Sequence, residues 1–229
     1  MNRCTDHISH YRLDAEHFDY FSNPDPTDAA YERLFREFIV GLAGKKSRVL
    51  DIGSGSGWTF MIPHEQLFHI DLSLRNLASL RSDSSAQTLA DASHLPFKDE
   101  SLDLVIASEI LEHLNTPETA SREIWRVLKP GGRAIVSTPY KERLRYTLCI
   151  HCNQVTPLNA HLHSFNREML MSMFPSANRR MYLFGSKILA NRRVASLFRR
   201  VPLRIWRAID YPLLRLIDKA QHVVLVVEK

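Results

Sequence analysis

A glycine-rich turn directly after an apolar run carries the first chemistry that this sequence offers. Val49, Leu50 and Ile52 predict a short strand that is buried on both faces. The turn that ends it reads Asp51-Ile52-Gly53-Ser54-Gly55-Ser56-Gly57. Glycines in such a turn accept positive φ and let a ligand approach the backbone closely, in the crevice at the carboxyl end of the strand.

The charge of this turn indicates which kind of ligand it suits. The dinucleotide fingerprint G-x-G-x-x-G requires a third glycine where this chain has Trp58. A pyrophosphate would be repelled by the Asp51 carboxylate, whereas an ammonium group would be attracted to it. The turn therefore favours a cationic ligand without phosphate. A nicotinamide-dependent oxidoreductase, and a turn that binds nothing, stay as alternatives.

Further acidic residues stand where the next three predicted strands end. Asp71 follows Gly53 by 18 residues, and an acid at this place accepts hydrogen bonds from both hydroxyls of a ribose. Asp91 can accept a bond from an adenine amino group, and the backbone N–H that follows it, from Ala92, suits a ring nitrogen. Glu109 ends the fourth strand and is expected to face the crevice.

Four motifs between residues 47 and 138 resemble one known family. They are Asp-x-Gly-x-Gly-x-Gly at 51–57, Leu-Pro-Phe at 95–97, Glu-Ile-Leu-Glu-His at 109–113 and Arg-Val-Leu-Lys-Pro-Gly-Gly at 126–132. Together they resemble the class I S-adenosylmethionine-dependent methyltransferases, in the small-molecule branch called type 11. Leu102 departs mildly from that pattern, because phenylalanine is commoner there.

The resemblance implies a fold, a cofactor and a reaction. The expected fold is α/β, a doubly wound and mostly parallel sheet of seven strands with the last one antiparallel, in one domain over 1–229. The expected activity is methyl transfer from S-adenosylmethionine to an O, N or C atom of a small molecule. The residues expected to bind the cofactor are Asp51, Gly53, Ser54, Gly55, Gly57, Asp71, Leu72, Asp91, Ala92 and Glu109.

No residue is singled out as a general base. The sulfonium already makes the methyl group electrophilic, so such a base is optional. His113, His10 and Tyr140 are candidates because histidine or tyrosine near the crevice can accept a proton. Two other functions stay open: a module that binds the cofactor without turnover, and a methyltransferase acting on RNA or a membrane-associated substrate.

The segments around the core region 47–138 must position these groups. Within 1–46, a helix over about 29–42, with Thr27 or Asp28 as its N-cap, is predicted to pack on the sheet. Residues before it, including Tyr11 and Tyr20, are predicted to form a lid. The link between Gly57 and Leu67 is short and contains Pro63, so a single helical turn or a loop is expected there. The C-terminal run 222–229 is predicted to be the last strand.

The insertion 139–165 contains a metal-binding pattern. Cys149, Cys152, His161 and His163 have the spacing C-x2-C-x8-H-x-H, and two thiolates with two imidazoles suit a tetrahedral zinc ion. The H-x-H spacing is less usual than H-x3–5-H. The alternative is a reduced C-x-x-C with solvated histidines, so zinc remains a hypothesis. If present, the ion is expected to be structural.

Basic charge is concentrated in residues 187–219. This segment holds nine Lys or Arg against two Asp, a local charge of +7, whereas the whole chain of 229 residues has +5. Pro202 and Pro212 are expected to divide it into short helices. We expect a helical cap over the substrate pocket, between the last two strands. Contact with an anionic membrane surface is the alternative, and nucleic acid is not an expected partner.

The composition indicates the cellular compartment, and no membrane-spanning helix is expected from it. The chain has no run of 18 apolar residues and no apolar segment near Met1 typical of a signal peptide. Three cysteines, two of them in C-x-x-C spacing, argue against a disulfide framework and favour a reducing compartment. A cytoplasmic location is therefore expected.

Overall fold

The computed structural model describes residues 26–80, 85–148, 155–191, 194, 198 and 200–229. The strands of the main sheet are β1 (Lys46–Ile52), β2 (His64–Asp71), β3 (Ser85–Leu89), β4 (Leu102–Ser108), β5 (Leu128–Pro139), β8 (Arg179–Ser186) and β9 (Ala220–Glu228), and a small hairpin pairs β6 (Tyr146–Leu148) with β7 (Val155–Pro157). The α-helices are α1 (Pro26–Ala43), α2 (Leu74–Ser79), α3 (Pro117–Val127), α4 (Arg167–Ser172) and α5 (Leu203–Ile217).

The main sheet has seven strands in the order β3-β2-β1-β4-β5-β9-β8. The pairs among β3, β2, β1, β4 and β5 are parallel, whereas β9 runs antiparallel to both of its neighbours. The predicted doubly wound sheet with an antiparallel last strand is therefore confirmed. Two apolar clusters, one on each face, bury the central strands between the helices.

The central position of β1 follows from its side chains. Val49 and Leu50 are fully buried on opposite faces, Val49 in the cluster with α1 and Leu50 in the cluster with α3. A strand without a polar face needs a covering layer on both sides, which parallel connections through helices supply. The turns that follow β1, β2 and β4 consequently meet at one edge of the sheet.

Helix α1 confirms the predicted amphipathic helix and extends it to Pro26. Leu34, Phe35 and Ile39 are buried, with Tyr31 and Phe38 packed against them. Our prediction that Thr27 or Asp28 caps this helix is wrong, because the helix already includes both residues. The predicted lid with Tyr11 and Tyr20, and the candidate base His10, lie outside the described residues.

The short link after the glycine turn is one 3₁₀ turn, Trp58–Met61, as predicted from its length. The fifth strand is the longest described strand of the main sheet. Strand β5 begins at Leu128, paired with Leu102, and continues through the Lys129–Gly132 segment with an irregularity in register between Leu102 and Leu104.

Helix α5 occupies the expected position between the last two strands, and Pro202 precedes its first turn. Our prediction that Pro212 breaks the segment is wrong, because the helix continues through it to Ile217. Packing offsets the lost hydrogen bond: Trp206, Asp210 and Leu214 are buried on one side of the helix. The Asp210 carboxylate also accepts bonds from the N–H groups of Gly185 and Ser186 in β8.

The structure places α5 on the sheet beside β8, and its exposed side carries Ile205, Ile209 and Leu216. Covering of the substrate pocket and contact with a membrane surface both stay predictions. None of the helices within the described ranges is long and apolar enough to cross a membrane.

Trp206 provides a test of this packing. Its side chain is fully buried among residues of α1 and the sheet, so Trp206→Ala should lower the free energy of unfolding by about 3–5 kcal/mol through lost contacts and a cavity. Leu216→Ala is the matched control in the same helix, because Leu216 is 81% exposed, and should change it by no more than about 0.5 kcal/mol. Urea unfolding followed by circular dichroism measures both. Equal effects of the two substitutions would contradict this packing.

Candidate functional site

The glycine turn after β1 adopts the conformation that its sequence predicts. Gly53, Gly55 and Gly57 have φ of 70°, 43° and 70°. The N–H groups of Gly53 and Ser54 donate to the carbonyl of Ile70 at 2.8 and 3.3 Å, which fastens the turn to the end of β2. A Cβ on Gly53 would lie 2.0 Å from Cδ1 of Ile110. Gly53 is therefore required both for its conformation and for the space above it.

A cavity lies beside this turn at the carboxyl ends of the parallel strands. Gly53, Asp71 and His113 contribute to its wall, and the apolar part is formed by Ile52, Ile70, Leu72, Ala92, Ile110 and Leu114. Another cleft, at the opposite edge near Lys45, Asp103 and Gly131, lies away from the predicted site residues. The cavity at the carboxyl ends is the candidate site, because ligands of doubly wound sheets bind there.

Asp71 is held at the centre of this edge. Its carboxylate is 4% exposed and accepts from the Ser73 N–H at 2.8 Å, from the Asn76 amide at 3.3 Å and from the Gly55 N–H at 3.4 Å. Burial raises the pKa of Asp71, while these donors act in the opposite direction. The two longest of these bonds are weak, so the carboxylate has capacity to accept hydroxyl donors from a ligand.

Asp51 lies behind the turn rather than in the wall of the cavity. Its carboxylate accepts from Thr59 Oγ1 at 2.7 Å, and Nδ1 of the buried His69 lies 3.3 Å away. Asp91 accepts from the Ser93 N–H at 2.8 Å, and Ala92 beside it belongs to the cavity wall. Contacts of Asp51 with an ammonium group and of Asp91 with an adenine stay predictions.

Glu109 turns the chain at the end of β4 with a φ of 57°. Its carboxylate accepts from Ser137 Oγ at 2.9 Å and lies 3.2 Å from Nε2 of His222, whose Nδ1 is 2.8 Å from the Tyr31 hydroxyl. Burial opposes ionisation of Glu109, but His222 and the Ser137 hydroxyl outweigh it and lower the pKa of Glu109. Glu109 is therefore an ionised group between β4, β5 and β9.

The candidate bases fall in different places. His113 contributes to the cavity wall, and its Nδ1 lies 3.2 Å from the carbonyl of Ala160. Tyr140 is 2% exposed and donates to the Asp218 carboxylate at 3.0 Å. The structure thus brings His113 to the cavity, whereas the Tyr140 hydroxyl is engaged by Asp218.

The structure describes the two histidines of the predicted zinc pattern but not its two cysteines. Cys149 and Cys152 lie outside the described residues. His163 Nε2 lies 2.8 Å from the carbonyl of Leu114. The His161 ring packs against His113 with centroids 4.7 Å apart, and its Nδ1 contacts the Glu142 carboxylate at 2.5 Å. The histidine pair therefore lies against His113 and Leu114, two residues of the cavity wall, and a shared ion with the cysteines stays a prediction.

Sequence reasoning missed Glu112, Glu142 and His222. Glu112 is fully buried, and burial followed by the nearby Glu109 charge raises its pKa well above the ordinary value. One signal was present in the sequence: Glu112 stands among apolar residues, next to a histidine already noted. No local signal indicates His222 or Glu142, because each contacts a residue distant in the sequence.

The fold is that of a doubly wound α/β protein, and its candidate site lies at the carboxyl edge of the sheet. Residues 50–136 match a family model described as a methyltransferase domain. This match assigns residues 50–136 to a methyltransferase domain, and the fold around them is that of solved S-adenosylmethionine-dependent methyltransferases. S-adenosylmethionine is the cofactor of this family.

Curated relatives agree with that assignment. The chain is 34% identical over 143 residues to a malonyl-[acyl-carrier protein] O-methyltransferase of Marinomonas sp., covering 57% of this chain and 53% of the relative. It is 29% identical over 144 residues to a demethylmenaquinone methyltransferase of Roseiflexus castenholzii, covering 56% and 60%. The chain thus spans about half the length of the curated relatives it matches.

Solved structures share the fold at low sequence identity. A S-adenosylmethionine-dependent methyltransferase from Archaeoglobus fulgidus superposes with a TM-score of 0.60 and 16% identity, over 96% of this chain and 99% of that one. Phosphoethanolamine N-methyltransferase 2 of Haemonchus contortus, in complex with S-adenosylmethionine, gives 0.61 and 16%, over 96% and 60%. These similarities confirm the architecture.

The lowered pKa of Glu109 predicts a pH-dependent effect. A carboxyl group with a depressed pKa in the folded state contributes stability above its unfolded pKa, and this contribution is lost as the pH falls through the folded pKa. Glu109→Gln should therefore destabilise the protein more at pH 7 than towards pH 3, as measured by urea unfolding across that range. The exposed Glu65→Gln in β2 is the control. A destabilisation that is constant or grows at low pH would contradict the assignment.

Proposed function

We propose that this protein transfers the methyl group of S-adenosylmethionine to a small-molecule acceptor. One observation carries the proposal: the glycine turn, Asp71 and an apolar wall lie together around one cavity at the carboxyl edge of the sheet, in a chain of this family. The named relatives point to small acceptors or to acceptors on a carrier, and they motivate this part of the proposal for the present chain.

The residues of the cavity fit the cofactor part by part. Asp71 has acceptor capacity for the ribose hydroxyls, because two of its bonds are long. Leu72, Ala92 and Leu114 offer apolar contacts for an adenine ring. The methionine portion can approach the backbone of Gly53 closely once the Ile110 side chain, which occupies the space above this glycine, moves aside.

The protein's own contribution to the reaction is positioning and exclusion of water. When bound, S-adenosylmethionine supplies a sulfonium that activates its methyl group for attack. The apolar wall keeps water away from the reacting methyl group, and the cavity holds the acceptor in an orientation suited to attack on that group. His113 is the candidate base whose side chain reaches the cavity wall, so it is the residue proposed to accept a proton from an acceptor that carries one.

Negative charge at this edge also favours the cofactor's positive groups. Asp51, Asp71 and Glu109 end three neighbouring strands, and the pKa of Glu109 is held low. A pyrophosphate would meet these carboxylates and Trp58, as the sequence already indicates. We therefore propose S-adenosylmethionine in preference to a nicotinamide dinucleotide. The experiments below must distinguish this proposal from two alternatives. One is a module that binds the cofactor without turnover, and the other is a methyltransferase acting on RNA or a membrane-associated substrate.

Asp71→Asn tests the cofactor assignment. The substitution removes a charged acceptor from the proposed ribose site, so the affinity for S-adenosylmethionine should fall by about 10- to 150-fold, equivalent to about 1.5–3 kcal/mol. Isothermal titration calorimetry measures the affinity. Asp99→Asn is the matched control, because this carboxylate is exposed and contacts Arg126 away from the cavity.

Two results would overturn the proposal at different levels. Unchanged affinity in Asp71→Asn would remove the ribose assignment, and tighter binding of NAD than of S-adenosylmethionine would remove the cofactor. A screen of small-molecule extracts with radiolabelled methyl donor tests turnover separately. Methyl transfer to RNA or membrane fractions, but to no small-molecule fraction, would replace the small-molecule acceptor. Tight cofactor binding with no transfer to any fraction would indicate a binding module without turnover.

A further inference from the structure

A cluster of one carboxylate and two imidazoles lies beside the cofactor cavity. Glu112 and His113 belong to the 3₁₀ turn Leu111–His113, and His161 follows the 3₁₀ turn Leu158–Ala160. Each of the three side chains offers one ligand atom, and these atoms lie within 4.8 Å of one another. The two segments are fastened together, because the N–H groups of Leu162 and His163 donate to the Glu112 carbonyl at 2.7 and 3.3 Å.

The Glu112 carboxylate lacks the partners that burial demands. The side chain is fully buried, and within the described part of the chain neither of its oxygens has a hydrogen-bond partner. Buried carboxyl groups are normally paired, hydrogen-bonded or bound to a metal, because a buried polar group without a partner is strongly unfavourable. An ion at this place would supply the missing compensation.

The two histidines are arranged as metal-binding histidines usually are. His161 Nδ1 contacts the Glu142 carboxylate, and His113 Nδ1 contacts the Ala160 carbonyl. A neutral imidazole that donates from Nδ1 carries its lone pair on Nε2. A carboxylate or carbonyl that accepts from the other ring nitrogen is the common support of a metal-ligating histidine. Glu142 and the Ala160 carbonyl would therefore fix both rings for coordination through Nε2.

We propose that Glu112, His113 and His161 bind one divalent transition-metal ion, with Glu142 orienting His161. Two imidazoles and one carboxylate suit Zn²⁺, Fe²⁺ or Mn²⁺ rather than Mg²⁺, which prefers oxygen ligands and water. Three protein ligands leave at least one coordination position open. This inference does not depend on methyl transfer, because the ion can bind whether or not the cavity turns over a substrate.

The site lies at the boundary of the cavity. His113 contributes both to the ligand set and to the cavity wall, so the ion is adjacent to the space proposed for the cofactor and acceptor, and a metal-bound His113 would not act as the base proposed above. This ligand set differs from the cysteine-containing set expected from the sequence, and the two sets share His161. They make opposite predictions for substitutions of the cysteines and of Glu112.

The experiment measures metal content and affinity of the full chain without a histidine tag. Protein stripped with EDTA is titrated with Zn²⁺ and, separately, with Mn²⁺ by calorimetry, and elemental analysis counts the bound ion. The wild-type protein is expected to bind about one equivalent. Glu112→Gln and His161→Ala should each weaken binding at least 10-fold, while Cys149→Ser/Cys152→Ser should retain it.

Further variants keep the test decisive if a ligand substitution disturbs folding. Glu142→Gln leaves the three ligands in place and should weaken binding about 10- to 100-fold, the usual effect of removing a supporting carboxylate. His163→Gln is the matched control, since its Nε2 contacts the Leu114 carbonyl instead of the cluster, and it should bind like wild type. Circular dichroism in EDTA checks that each variant is folded.

Three results would overturn the proposal. They are the absence of binding of either ion to the wild-type protein, binding unaffected by Glu112→Gln and Glu142→Gln, and loss of binding in the double cysteine variant with the Glu112 variant unaffected. The last result would establish the cysteine-containing site in its place. S-adenosylmethionine affinity is recorded in parallel, so that failure of the cofactor assignment is distinguished from failure of the metal site.

Discussion

The parallel pairing of β1 with β2 on one side and β4 on the other is the constraint on which the site depends. Ile52 pairs with Ile70 and with Ala107, so the three strands end at the same level. Most residues in the second half of each strand are buried, and Asp71 stands at the end of β2 and Glu109 directly after β4. The glycine turn, Asp71 and Glu109 consequently lie along one edge because burial of the strands forces them there.

This edge concentrates negative charge, and the structure compensates most of it locally. Asp51 is paired with Thr59 and His69, Asp71 accepts backbone and amide donors, and Glu109 is stabilised by Ser137 and His222. Such compensation is incomplete for a group of neighbouring carboxylates, so the edge favours cationic ligands. A sulfonium cofactor and a divalent ion both meet this requirement, and a pyrophosphate does not.

The fold was largely predictable because its signals are local. Apolar runs indicate strands β1, β2 and β4, prolines and glycines mark their ends, and the helix over 29–42 follows from its periodicity. The prediction failed at Pro212, where packing of Trp206 and Leu214 maintains a helix that the proline alone would interrupt. Tertiary contacts of that kind cannot be obtained from the local pattern.

The position of the candidate site was predictable where its residues follow apolar runs in the sequence. Asp71 and the glycine turn do so, whereas the contact between His113 and His161 joins residues 48 positions apart. Spacing had grouped His161 with Cys149, Cys152 and His163, because C-x2-C is conspicuous in a sequence and a buried glutamate is not. The structure adds a physical criterion that spacing lacks: Glu112 is a fully buried carboxylate without a partner among the described residues, and the two nearest imidazoles are already oriented by acceptors on their other nitrogens. A buried carboxyl group without a hydrogen-bond partner, beside two oriented imidazoles, is stronger evidence for an ion than a count of cysteines and histidines along the chain.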